Sequence, residues 1–207
     1  MPPIYHITSI QNLPNILIDG GLWCDRIVMQ RNLAHVSIAH QHIKNRRIQK
    51  AVPCGSGGTV ADYVPFYFAP RSPMLFVIHK GGVDGYQEGQ APILHLVSSI
   101  EAVQTSGRSF VFSDGHAEMD ISQFFTDLND LNKLDWQIMG ERYWNDTLED
   151  GDRKRRRQAE FLVYQFFPLD LVAAIGVINQ QMAQQVSGLL QPLLRKPIVR
   201  VEPTWYY

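Results

Sequence analysis

Arg153-Lys154-Arg155-Arg156-Arg157-Gln158-Ala159-Glu160-Phe161-Leu162-Val163-Tyr164 sets a run of five cations just ahead of a single carboxylate, and an apolar strand starts at once. Successive strand side chains face opposite ways. Phe161 and Val163 therefore point to one side, while Glu160 shares the other with Leu162 and Tyr164. A glutamate on an otherwise apolar strand face is costly unless it has partners. A carboxylate fixed at a strand edge suits the stabilisation of a sugar that turns cationic. The structural alternative is a strand-leading glutamate paired with nearby arginines at the surface. The basic run reads as solvated, and is either plain charged surface or a contact for a polyanion.

The same apolar pattern recurs on both sides of this stretch. Residues 3–8, 64–68, 74–79, 93–98, 110–113, 160–167, 173–178 and 198–202 are β-branched or aromatic runs bounded by Gly, Pro, Asp or Ser, and they predict strands. Ser9 is placed to cap a helix running through Asn12, Leu13, Ile16 and Leu17, with Pro14 in its first turns and Gly20-Gly21 ending it. Further helices are expected over 34–50, 122–134 and 180–190. The elements do not alternate regularly. The expected class is α+β, with a central mixed, mostly antiparallel sheet flanked by helices in one domain over 1–207 and a long insertion at about 116–160.

Composition narrows the function. Of the 207 residues, 45% are hydrophobic and the net charge is -1, so any nucleic-acid surface must come from local clustering of cations. Two cysteines, Cys24 and Cys54, make neither a metal pattern nor a disulfide framework. Neither a signal peptide nor a membrane-length apolar run is visible, and a cytoplasmic location is expected. No metal is expected, because His35, His40 and His42 lack the spacing of a zinc site with a nearby carboxylate.

Several residues stand out as candidates. On a helix over 34–50, Arg47 shares a face with Val36, His40 and Ile43, so it points inward, where a guanidinium needs an anion. That anion is either a ligand's phosphate or a protein carboxylate. His6 and Thr8 lie on one side of the first strand, and His6 is either a satisfied core histidine or part of a clamp for a flat amide-bearing ring. Tyr67, Arg71 and Met74 frame the turn after residues 64–68. His116 opens the insertion, which also carries Trp136, Tyr143 and Trp144 as stacking candidates or core aromatics.

The ordered set formed by Tyr5-His6-Ile7-Thr8 with Asn12-Leu13, Arg46-Arg47, Asp62-Tyr63-Val64-Pro65-Phe66-Tyr67-Phe68-Ala69-Pro70-Arg71-Ser72-Pro73-Met74, residues 92–99 and Gln158-Ala159-Glu160-Phe161-Leu162-Val163 resembles the DarT family, the toxin half of the DarT–DarG toxin–antitoxin system. The resemblance covers nearly the whole chain. It implies an ADP-ribosyltransferase-like fold and transfer of ADP-ribose from NAD to thymine in single-stranded DNA. NAD is then a consumed substrate rather than a cofactor, and the antitoxin DarG is the implied partner. By resemblance, Glu160 and Arg47 are catalytic, and His6, Thr8, Asn15, Leu22, Arg47 and Tyr67 hold NAD. Arg71, His116, Arg153 and Arg155 are the implied DNA contacts, and residues 34–49 cover bound NAD. Two other readings remain open at this point: a transferase acting on RNA or protein, and a non-catalytic single-strand-binding module.

Overall fold

The computed structural model describes residues 1–207. The elements run β1 (Pro3–Ser9), α1 (Leu13–Asp19), β2 (Gly21–Trp23), α2 (Asp25–Gln30), α3 (Gln41–Gln49), β3 (Tyr63–Tyr67), α4 (Pro73–His79) and β4 (Ile93–Ser99). They continue with α5 (Ile100–Thr105), β5 (Phe110–Ser113), β6 (Phe124–Phe125), α6 (Trp136–Gly140), α7 (Arg153–Arg157), β7 (Glu160–Tyr164), β8 (Phe166–Pro168), β9 (Ala174–Val177), α8 (Gln180–Leu189) and β10 (Ile198–Val201). Eight strands make one sheet in the order β10-β9-β4-β1-β3-β7-β5-β6, and β2 pairs separately with β8. Neighbours in the large sheet are antiparallel except β10 on β9. The expected α+β class with a mixed, mostly antiparallel sheet is therefore what forms.

β7 behaves as its alternation predicts. Phe161 and Val163 enter the main core with Val64, Phe66 and Phe112, while Leu162 joins a smaller cluster with Tyr63 and Val111 on the other side. Such doubly covered strands bury apolar side chains on both faces, each Å2 of apolar surface contributing about 25 cal/mol. α1 ends at Gly20, whose φ of 70° is a left-handed conformation that glycine adopts without a Cβ penalty.

Five expectations are corrected. Residues 74–79 form α4 rather than a strand, because Ser72 caps the turn by accepting from the Leu75 amide and Pro73 occupies the first turn. The run 160–167 is not one strand. Gln165 takes φ 57°, and its carbonyl accepts from the Cys24 amide, so the chain leaves the large sheet and pairs with β2 as β8. The helix expected over 34–50 begins only at Gln41, and 34–40 is extended or irregular. Residues 122–134 hold the short strand β6 and a 3-10 turn rather than an α-helix. Finally, the basic run is not a solvated face: it forms α7, and Arg157 is buried.

No helix is long and apolar enough to cross a membrane.

Candidate active site

The central strands place the site. β1 pairs with β4 over seven residues and β3 with β7 over five, yet β1 meets β3 only at Tyr5 opposite Tyr67. Beyond that pair the two strands splay. A cleft of about 940 Å3 opens there, reached by side chains from both. His6 spans the splay, with Nδ1 2.8 Å from the Pro65 carbonyl of β3. That carbonyl can only accept, so Nδ1 carries the proton. Burial pushes the His6 pKa down, so the ring is neutral and its Nε2 is an acceptor.

Glu160 sits at the mouth of β7 opposite Tyr67, 2% exposed, and lines the cleft. One guanidinium nitrogen of Arg47, Nη1, donates to both its oxygens at 2.8 and 3.1 Å, and the Ala117 amide donates to Oε1 at 3.0 Å. Ser113 Oγ accepts from the Glu160 amide at 3.3 Å. The carboxylate is thus fixed by α3 and by the loop after β5, while the strand next door holds the Glu160 backbone. Burial works against the Arg47 charge, but Glu160 outweighs it and holds the guanidinium protonated. Arg47 Nη2 is buried without a partner, a donor for which the protein supplies no acceptor. Burial first, and then the Glu160 charge, raise the Tyr67 pKa, so its phenol stays protonated.

The remaining expected NAD residues converge on the same cleft. Thr8 and Leu22 are buried along its wall, and Asn15, also in the lining, donates to the Ala34 carbonyl at 2.7 Å. His116 also lines the cleft and pairs with Glu118 at 3.3 Å. Glu118 in turn pairs with Arg46 of α3. Burial opposes the Glu118 charge, but hydrogen bonds from His116 and Arg46 prevail and hold its pKa at about 2.

The expected DNA contacts divide. Arg155 lines the cleft but is held by Asp152 at 2.7 Å and Asp114 at 3.0 Å. Arg153 lies outside the cleft lining, bound to Glu141 and to the Tyr143 and Asn145 carbonyls. Arg71 lies away from it too, with its guanidinium 4.3 Å over the Tyr207 ring in a second hollow that also holds Arg142. Trp144 lines the cleft while Trp136 packs on Phe68. No group of three or more His, Cys, Asp or Glu is arranged to hold a metal ion.

Sequence reasoning missed four groups here. Asn12 ties Thr8 to residues 34–39, the Ala117 amide and Ser113 fix Glu160, and Glu118 links α3 to the loop after β5. A backbone amide carries no sequence signal. The only local hint at Asn12 is its i, i+4 distance from Thr8.

A sheet splayed at its centre, with a buried strand-edge glutamate beside the cleft, is the arrangement of an ADP-ribosyltransferase fold. A family model described as "ssDNA thymidine ADP-ribosyltransferase, DarT" matches residues 5–207. The chain belongs to the DarT family. It is 45% identical over 207 residues to a DNA ADP-ribosyl transferase of Thermus sp. (strain 2.9), which covers 99% of this chain and 96% of the relative. The solved structure of Thermus sp. 2.9 DarT in complex with ADP-ribosylated ssDNA superposes with a TM-score of 0.93 at 44% identity, covering 99% of this chain and 96% of the other. The same protein in complex with NAD+ gives 0.89 at 42%, covering 99% and 97%. A more distant relative, 22% identical over 214 residues, is a DNA ADP-ribosyl transferase–DNA ADP-ribosyl glycohydrolase fusion protein of Thermosipho africanus. The match covers 99% of this chain and 49% of the fusion.

Proposed function

We propose that this protein transfers ADP-ribose from NAD to a thymine base in single-stranded DNA. The observation that carries this is the buried Glu160–Arg47 pair at the mouth of β7, facing a cleft built on β1 and β3. The nicotinamide ring lies against β1, near His6 and Thr8. Neutral His6 offers Nε2 as acceptor to a ribose hydroxyl, and the protonated Tyr67 phenol closes the other side. As the glycosidic bond to nicotinamide lengthens, positive charge develops on the ribose, and nicotinamide leaves with the bonding electron pair. Glu160, oriented before the reaction by Arg47 and Ala117, meets that charge without reorganisation, the arrangement in which electrostatic stabilisation is strongest.

The acceptor is a ring nitrogen of thymine, which gives up its proton and attacks the anomeric carbon. Arg47 does not serve as the base in the usual sense, because a guanidinium pKa above ~12 keeps it charged. It stabilises negative charge instead, on the pyrophosphate or on the deprotonated base. The unpartnered Nη2 is the donor for that anion. His116, at the cleft wall, is the second group placed to assist the proton's removal. A base reaches this depth only when unstacked, which makes single strands the economical substrate. NAD is consumed as a substrate rather than regenerated as a cofactor.

The Thermosipho africanus relative joins transferase and glycohydrolase in one chain. Such an opposed pair supports the role of toxin for this protein, with a DarG-type glycohydrolase antitoxin as partner that removes the mark. The domain spans 1–207, and the loop 116–160 presents the acceptor, with Arg71, Arg153 and Arg155 as phosphate contacts. Arg153 and Arg155 would have to exchange their carboxylate partners to serve. The test is nicotinamide release with matched oligonucleotides. Release that requires thymine-containing single-stranded DNA is expected; release driven by RNA or by protein instead would overturn the substrate assignment, and binding without release would favour a non-catalytic module.

A further inference from the structure

Asn12 sits on the 3-10 turn directly after β1, outside the residues that touch the Glu160–Arg47 pair. Its side-chain amide makes three contacts. Oδ1 accepts from the Val36 amide at 2.6 Å, while Nδ2 donates to the Val36 carbonyl at 2.9 Å and to Thr8 Oγ1 at 3.0 Å. The orientation of the amide is forced. A backbone N–H can only donate, so the oxygen must face it, and both protons of the nitrogen are then committed.

Val36 lies in the middle of residues 34–39, all of which line the cleft. That segment makes no backbone–backbone hydrogen bond. Asn12 and Asn15 are the side chains from outside it that hold its backbone, Asn15 through the Ala34 carbonyl. Val36 and Ile38 pack on a separate core cluster around Ile7, Leu75 and Ile78, which anchors the segment without setting its register. One amide therefore replaces a neighbouring strand.

The contact with Thr8 has a second consequence. Because Asn12 donates to Thr8 Oγ1, it uses one of that oxygen's acceptor sites and leaves the hydroxyl proton available to a ligand in the cleft that Thr8 lines. From this geometry we infer that Asn12 is a positioning residue for the dinucleotide: it latches residues 34–39 along the cleft and fixes the Thr8 hydroxyl as a donor to the bound ligand. This rests on the reading of the cleft as an NAD site. Glu160, Arg47 and Ala117 lie outside the network, so the chemical step is independent of the latch once NAD is bound.

The test is calorimetric titration of NAD into wild type, Asn12→Asp and Asn12→Ala, with thermal melts and steady-state transfer to a thymine-containing oligonucleotide. Asp is isosteric and keeps the acceptor for the Val36 amide, but it sets an oxygen against the Val36 carbonyl. If the donor matters, Asp fails as Ala does. The expected result is NAD binding about tenfold weaker in both variants, equivalent to ~1.4 kcal/mol, with the KM for NAD raised in step. Cooperative melting, kcat at saturating NAD within about twofold and the KM for DNA should all be retained. Wild-type NAD affinity in Asn12→Asp would overturn the latch, as would a fall in kcat alone. If neither variant melts cooperatively, Asn12 serves the stability of the whole domain and the proposal also falls. Absence of NAD binding by the wild type would instead sink the reading of the cleft.

Discussion

Glu160→Gln separates charge from shape at the centre of the site. Gln keeps an oxygen for the Ala117 amide but places either an NH2 or a neutral oxygen against Arg47 Nη1, where the wild type has two carboxylate contacts at 2.8 and 3.1 Å. Two losses follow and they are distinct. Arg47, with a side chain 9% exposed, is left without a counter-ion. Removing one partner of a buried pair costs about 3–5 kcal/mol, and a hydrogen-bonding isostere belongs at the lower end. For a chain of this size, a loss of about 3 kcal/mol lowers the melting temperature by roughly 6–12 °C. The rate falls for another reason: a fixed group aimed at the developing charge is worth about 100- to 1000-fold.

Single-turnover transfer at 25 °C, alongside a denaturant melt, reads both. The double variant Arg47→Met/Glu160→Met is expected to regain stability relative to Glu160→Gln, because a buried ion pair replaced by apolar side chains of similar volume is often neutral or better. It should nevertheless be inactive. Transfer by Glu160→Gln within about tenfold of wild type would refute the electrostatic role, and recovery of transfer by the double variant would show that the loss was one of folding alone.

Three other perturbations probe the supporting structure. Arg157→Ala should cost ~3 kcal/mol in a denaturant melt, because its guanidinium donates to the Ile138, Met139 and Arg71 carbonyls and such charged hydrogen bonds contribute about 1.5–3 kcal/mol each without adding fully; an unchanged midpoint would contradict this. His95 is fully buried against the Pro70 carbonyl, and burial holds its pKa down at about 4. Its folded pKa lies below the unfolded value of 6.5. The stability from its neutral form is therefore complete above pH 6.5 and is lost as pH falls toward 4, by ~3 kcal/mol in all; His95→Gln should flatten that part of the pH–stability curve, and an identical slope would argue against it. Glu118→Gln weakens the tie between Arg46 on α3 and the loop that carries Ala117. It should slow transfer about tenfold, equivalent to ~1.4 kcal/mol, with little change in NAD affinity; a wild-type rate would show that the tie is dispensable.

Much of this architecture is legible in local pattern. The alternation after Glu160 correctly sorts Phe161 and Val163 from Leu162, because β7 is covered on both faces. The inward face of Arg47 is read correctly even though the helix that carries it begins seven residues later than expected, since the 3.6-residue period holds from Gln41 to Gln49. What fails is non-local or depends on capping. The apolar run 74–79 fits strand or helix equally by composition, and Ser72-Pro73 is the signal that decides it. Residues 34–40 look helical by spacing, but Asn12 takes both the amide and the carbonyl of Val36 from more than twenty residues away.

The arginine run shows the same limit. Its partners include Asp114 and Glu141 far back in the chain, although Asp150 and Asp152 stand in plain view beside it. Nothing in the sequence shows the splay between β1 and β3. It follows from a single bridging pair, and the cleft follows from it.

Mass spectrometry of a short thymine-bearing single-stranded oligonucleotide, after incubation with NAD and either wild type or Glu160→Gln, reads the central assignment most directly. The wild type should add one ADP-ribose unit at the thymine while the variant leaves the strand at its starting mass. An unmodified strand with the wild type, or equal modification by both proteins, would contradict the account.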